Sequence, residues 1–223
     1  MIQAVIFDMD GTIFDTERLV MRAMDELSEH GVIPQDLPQR VPSIRGKNHA
    51  CIVLELQKIY GDDAPIDEWF DARRSLMAEI TDREGIPLKP GVPQIFEDIR
   101  AMNVPMALAT STSEASVARY MGLTGYGSYF DKIVTGNRVT NGKPAPDIFL
   151  LAAKELGVEP ANCLVIEDSP NGVRAGHAAG MRVIMVPDLD PINEELETQV
   201  WHCCETLSEI PRLIQNENKK EEI

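Results

Sequence analysis

The sequence predicts an α/β protein: a doubly wound, Rossmann-like parallel sheet as core, with a small all-helical domain inserted after the first strand. Three observations predict it. The chain opens on a short apolar run, Ile2 to Phe7, that breaks off in acids and a glycine, as a strand buried on both faces would. From residue 16 to about 84 the periodicity is helical with no alternating strand. Beyond it, strand and helix patterns alternate as far as Val186, the mark of a parallel sheet covered by helices. The expected domains are therefore 1–15 with 85–223 for the core and 16–84 for the insert. Asp15-Thr16 and Glu84-Gly85-Ile86-Pro87 are the two crossings, suited to a hinge.

In the insert, Leu19, Val20, Ala23, Met24 and Leu27 sit at helical spacing between Glu17 and His30, and Gly31 stops the run. A segment with Pro34, Pro38 and Pro42 leads through Arg45-Gly46-Lys47-Asn48 to a second helix marked by Ile52, Leu56 and Ile59. Pro65 to Thr81 gives a third, in which Trp69 and Phe70 read as core or contact residues of the insert. In the core, the spacing predicts a helix from Val92 to Met102, a strand Pro105–Ala109, a turn Thr110-Ser111-Thr112-Ser113 opening a helix through Tyr120, and a strand Lys132–Thr135. A loop Gly136–Pro146, a helix to Leu156, a strand Cys163–Ile166, a helix to Ala179 and a last strand Arg182–Val186 follow. The polar tail from Gln215 reads as solvated and frayed.

With 223 residues, 43% of them hydrophobic, the chain can bury a real core. A net charge of −15 argues against nucleic-acid and membrane partners, because both bind through basic patches. An anionic substrate must then be drawn in by local cations. No stretch approaches the ~18 apolar residues of a membrane span, and the chain starts on a core strand, so a cytoplasmic protein is expected. Cys51, Cys163, Cys203 and Cys204 are expected as reduced thiols. The adjacent Cys203 and Cys204 with His202 lack the spacing of a structural zinc site. His30 and His177 carry no assignable chemistry.

Chemistry concentrates where strands end. Asp8 and Asp10 follow the first strand, and in an open α/β sheet that edge is where ligands bind. Two carboxylates there repel unless a divalent cation or a raised pKa answers the charge. Helix capping is the competing explanation, but a cap needs one acid and Asp15 adds a third. Thr110 and Ser111 follow another strand and precede a helix, whose N-terminal amides suit a phosphate oxygen as well as an ordinary cap. Lys143 lies in Gly142-Lys143-Pro144-Ala145-Pro146, where the prolines aim its amine. Glu167 and Asp168 repeat the acid pair, so the cluster is all oxygen and selects Mg²⁺ over Zn²⁺.

Phe-Asp-x-Asp-Gly-Thr, the hydroxyl turn, the lysine and the second acid pair, in this order at strand ends, resemble the four motifs of the haloacid dehalogenase-like phosphatases. The insert and Val-Ile-Glu-Asp-Ser-Pro-Asn-Gly resemble the subgroup of β-phosphoglucomutase and small-metabolite phosphatases. The resemblance implies that Asp8 is a phosphate-accepting nucleophile and Asp10 a general acid and base. It implies Mg²⁺ on Asp8, the Asp10 carbonyl and Asp168, with Glu167 a direct or water-bridged ligand. Thr110, the Ser111 amide and Lys143 would hold the phosphoryl group of a small phosphorylated metabolite. The insert would be a mobile cap, with Arg45 and Lys47 selecting substrate, and a monomer is expected. A phosphomutase is the alternative. That branch carries a His four residues after the hinge Thr, a cap Arg, and a Lys-Asn pair after the hydroxyl motif; here Val20, His49 and Ser113-Glu114 stand in those places. A non-catalytic binding protein of the same fold is the remote alternative, against which no motif residue is missing.

Overall fold

The computed structural model describes residues 1–44 and 49–220. These form two compact units, Met1–Asp15 with Pro87–Ile223, and Thr16–Ile86. Gly85 and Ile86 thus belong with the helices. No described helix is long and apolar enough to cross a membrane.

The helical unit holds α1 (Thr16–Glu29), α2 (Leu37–Ile44), α3 (His49–Tyr60) and α4 (Ile66–Glu84). Its core joins Met24, Leu27, Leu37, Val41, Ile44, Leu56, Ile66 and Phe70. The proline-rich stretch forms α2 because Leu37, Val41 and Ile44 repeat at i, i+4, i+7 and all are buried. Pro38 falls in the first turn, where its missing N–H costs nothing. Trp69 packs edge-on to Tyr60 with centroids 5.3 Å apart.

In the other unit, α5 (Val92–Ala101), α6 (Glu114–Thr124), α7 (Asp147–Leu156), α8 (Pro170–Ala178), the short α9 (Glu194–Glu197) and α10 (Ile210–Lys220) flank six strands. These are β1 (Ala4–Phe7), β2 (Met106–Thr110), β3 (Lys132–Thr135), β4 (Cys163–Glu167), β5 (Arg182–Met185) and β6 (His202–Cys203). All pair in parallel, in the order β3-β2-β1-β4-β5-β6. The four central strands are buried at nearly every position, which is why their sequences are continuous apolar runs. The order reverses at β1, flanked by β2 and β4, and a crevice opens at the C-terminal ends of such strands. Register makes the site: Phe7 lies opposite both Leu108 and Ile166, and the Asp8 amide donates to the Ile166 carbonyl at 3.0 Å.

Two features depart from the sequence expectation. β6 was too short to read, and it separates the zinc candidates, leaving Cys203 exposed and Cys204 buried. The tail is helical to Lys220 rather than frayed from Gln215. Ile214 buries on its inner face, and Asn218 Oδ1 accepts from the Ile2 amide at 2.6 Å while its Nδ2 donates to the Ile2 carbonyl at 3.0 Å. A polar composition hid an anchor for the first strand.

Candidate active site

Three strand ends converge on Asp8. Asp8 and Asp10 leave β1, Thr110 ends β2, and Glu167 with Asp168 leave β4. Gly11 turns the chain away at φ +82°, a backbone state that side chains rarely adopt, and a Cβ there would collide with the Asp168 carboxylate. The turn closes through Ile13 and Phe14 amides on the Met9 carbonyl, while the Met9 side chain is fully buried. Asp8, Glu167 and Asp168 each offer a carboxylate oxygen, all within 4.8 Å of one another. Among the described residues no other group of three such ligands is gathered.

Lys143 answers part of this charge. From the loop before α7, its Nζ donates to Asp8, to Glu167 Oε1 at 2.7 Å and to the Ala109 carbonyl at 3.2 Å, and it stands 4.7 Å from the Phe149 ring centroid. Asn141 steadies the loop by donating to Asp147 at 2.9 Å. Burial would depress the Lys143 amine, but the Asp8 and Glu167 carboxylates outweigh it and hold it above its ordinary value. One ammonium cannot neutralise three acids. Burial pushes the Asp8 carboxyl up to about 8, Lys143 opposing and Glu167 and Asp10 reinforcing. Asp168 is held well above the carboxylate range by burial, then by Glu167 and Asp8. A divalent cation on this buried all-oxygen set is the chemistry that removes the conflict.

The acids are not equivalent. Glu167, 1% exposed, accepts at Oε2 from the Asp168 and Ser169 amides and the Ser169 hydroxyl, each at 2.9 Å, and at Oε1 from Lys143. Protein donors already fill its lone pairs, so it fixes Lys143 and the loop rather than facing outward. Asp168 Oδ1 accepts from Thr12 at 3.3 Å. Asp10 accepts at Oδ2 from Thr112 at 2.6 Å and Thr110 at 3.4 Å. Ser111 is exposed at the head of the turn before α6. Arg45 and Lys47 lie outside the described residues.

Several participants were not singled out from sequence. Thr12 and Thr112 sit inside quoted motifs, where nothing marks which hydroxyl meets which acid. Asp188, in the loop after β5, adds its negative field to Asp168. Its side chain is 3% exposed, Oδ1 pairs with Lys89 at 2.6 Å, and Oδ2 has no hydrogen-bond partner. Its only sequence signal is an acid following a strand.

Residues 2–180 match the family model of the haloacid dehalogenase-like hydrolases. Over 196 residues the chain is 39% identical to a Drosophila melanogaster protein named "probable pseudouridine-5′-phosphatase", covering 82% of this chain and 80% of the relative. It is 35% identical to the Escherichia coli fructose-1-phosphate phosphatase YqaB, over 82% of this chain and 95% of that one. The crystal structure of CbbY from Rhodobacter sphaeroides in complex with phosphate superposes with a TM-score of 0.75 at 30% identity, covering 94% of this chain and 96% of that one. β-Phosphoglucomutase from Clostridium difficile superposes at 0.70 and 26% identity, with 99% of each chain covered.

Proposed function

The chain belongs to the haloacid dehalogenase-like hydrolase family and is a phosphoric monoester hydrolase, and from that premise we propose that it moves the phosphoryl group of a small metabolite, a sugar phosphate first among them, to Asp8 and then to water. The observation that carries this reading is a buried carboxylate at the β1 end, clasped by Lys143, with a second carboxylate two residues on that hydroxyls hold in place.

An Asp8 oxygen attacks phosphorus and the ester bond breaks, leaving an aspartyl phosphate; Asp10 delivers its proton to the departing alkoxide. Asp10, now a carboxylate, takes a proton from the water that attacks phosphorus, and phosphate leaves as the Asp8 carboxylate is restored. Lys143, the Thr110 hydroxyl and the Ser111 amide orient and neutralise the phosphoryl oxygens, which is most of what this chemistry asks of a protein. Mg²⁺ would be held by Asp8, Asp168 and the Asp10 carbonyl, with Glu167 behind them, and supplies the positive charge that lets a phosphate dianion share the site with acids. The helical unit serves as cap, with Arg45 and Lys47 as its selecting cations. Four free thiols and an acidic surface fit a cytoplasmic enzyme.

The test is phosphate release from a panel of phosphorylated metabolites with MgCl2 or with EDTA, wild type beside Asp8→Asn. Sugar phosphates release phosphate with Mg²⁺ and intact Asp8 only. Release that persists in EDTA or in the variant overturns the reading.

A further inference from the structure

Asp10 does not stand alone in the crevice. Its Oδ2 accepts a 2.6 Å hydrogen bond from Thr112 Oγ1 and a longer one, 3.4 Å, from Thr110 Oγ1. The first is at the short end for a hydroxyl on a carboxylate, the second at the limit. Thr112 is therefore the main grip.

That grip rests on a fixed backbone. The Thr112 amide donates to Thr110 Oγ1 at 3.0 Å, and its carbonyl accepts from the Gly136 amide at 3.3 Å. Thr110 pairs with Thr135 in the sheet, which sets Gly136 beside the turn. Any Cβ on Gly136 would run into the Ser111 carbonyl, so the two loops close together only because this residue is glycine. One residue on, Ser113 caps α6 by accepting from the Ser116 amide. The hydroxyl is thus pinned on both sides in sequence and once across the sheet, on a β-branched side chain with little χ1 freedom.

We propose that Thr112 is a positioning residue for the general acid and base: it holds Asp10 by Oδ2 and so presents Oδ1 to the leaving oxygen and, in the second step, to water. The assignment rests on the reading of Asp10 given above. Thr112 touches neither phosphorus nor the leaving group; it acts through Asp10. A general acid matters most when the leaving group is basic, so the grip is worth more for a poor leaving group than for a good one.

Thr112→Val keeps shape and removes the hydroxyl; Thr112→Ala is the second variant if the valine fails to fold. The probes are phenyl phosphate and p-nitrophenyl phosphate, which share a ring and differ in leaving group. For Thr112→Val, kcat/KM on phenyl phosphate falls about tenfold, part of the roughly hundredfold or more that a placed general acid contributes. On p-nitrophenyl phosphate it falls much less, KM changes little on either, and Thr112→Ser restores both. Equal losses on the two esters, or a loss in KM alone, would mean that Thr112 binds phosphate and overturn the proposal; so would unchanged values. Asp10→Asn, run alongside, separates the two levels. If it shows the leaving-group dependence and Thr112→Val does not, only Thr112 is misassigned. If Asp10→Asn shows none, the acid reading falls and this proposal with it.

Discussion

Lys143 Nζ and the Asp8 carboxylate form an ion pair in which both side chains are less than a tenth exposed, at 7% and 9%. A buried pair of this kind is weak support for stability, because desolvation offsets most of the attraction. Here the balance is worse than for a simple pair, since Glu167 and Asp168 crowd the same amine. The arrangement makes sense as a site held ready for positive charge and a phosphoryl group.

Replacing Asp8 with Asn therefore removes turnover without removing stability. The folded Asp8 carboxyl is raised from 3.8 to about 8. A raised acid contributes stability fully present below about pH 3.8 and lost as pH rises through about 8. In EDTA at pH 8 the variant melts at or above wild type, and the difference shrinks as pH falls toward 4. Calorimetry across that range checks it; a variant melting several degrees below wild type at pH 8 would mean that the Lys143 pairing dominates.

The same shift sets the metal's pH dependence. Asp8 and Asp168 are both raised by burial first, so protons must leave before a cation enters. Mg²⁺ raises the melting temperature more at pH 8 than at pH 6, and a ligand at about 100 times its Kd adds roughly 2.7 kcal/mol. Asp168→Asn loses most of the gain. An equal gain at both pH values, or in the variant, would place the cation elsewhere.

What could be read from the sequence were features that one segment carries alone: an apolar run ending in acids marks β1 and β4, and the glycine after Asp10 marks the turn. What could not be read depends on partners far apart in the chain. Lys89 and Asp188 are 99 residues apart and each looks like an ordinary surface residue. In Thr110-Ser111-Thr112-Ser113 four hydroxyls look alike, and only the packing of Gly136 decides that Thr112 meets Asp10. Prolines masked α2, whose three inward residues span two turns.

Asn218 gives the plainest case. Its amide closes both polar groups of Ile2 from a tail that composition marks as solvent. Asn218→Ala strands the Ile2 amide and carbonyl at the start of β1 and costs about 1–2 kcal/mol, the usual loss for a part-buried hydrogen-bonded pair. For a chain of this size that lowers the melting temperature by roughly 2–4 °C per kcal/mol. Activity at 25 °C is unchanged. No shift in melting would mean that α10 is held by Ile214 and its apolar neighbours alone.

The last prediction separates hydrolysis from phosphoryl return. A mutase must keep water from its aspartyl phosphate until a sugar phosphate comes back, so its acid and base must engage only when a second phosphate anchors the closed site. Val20 packs against the core of the helical unit and can relay no proton. Glu114, exposed in the first turn of α6, stands at the place of the mutase branch's Lys-Asn pair and would repel a second phosphate bound beside it, although Arg138 lies within reach of its field. Asp10, by contrast, is gripped by Thr112 and Thr110, hydroxyls of the protein's own turn, so water that reaches the intermediate finds its base in place. Incubated with β-glucose 1-phosphate and a catalytic amount of the bisphosphate, the protein releases inorganic phosphate or leaves the sugar untouched, and glucose 6-phosphate does not accumulate. Coupled assays for the two products read the outcome directly. Glucose 6-phosphate forming much faster than free phosphate would establish a mutase and would oblige Arg45 or Lys47 to supply the missing clasp.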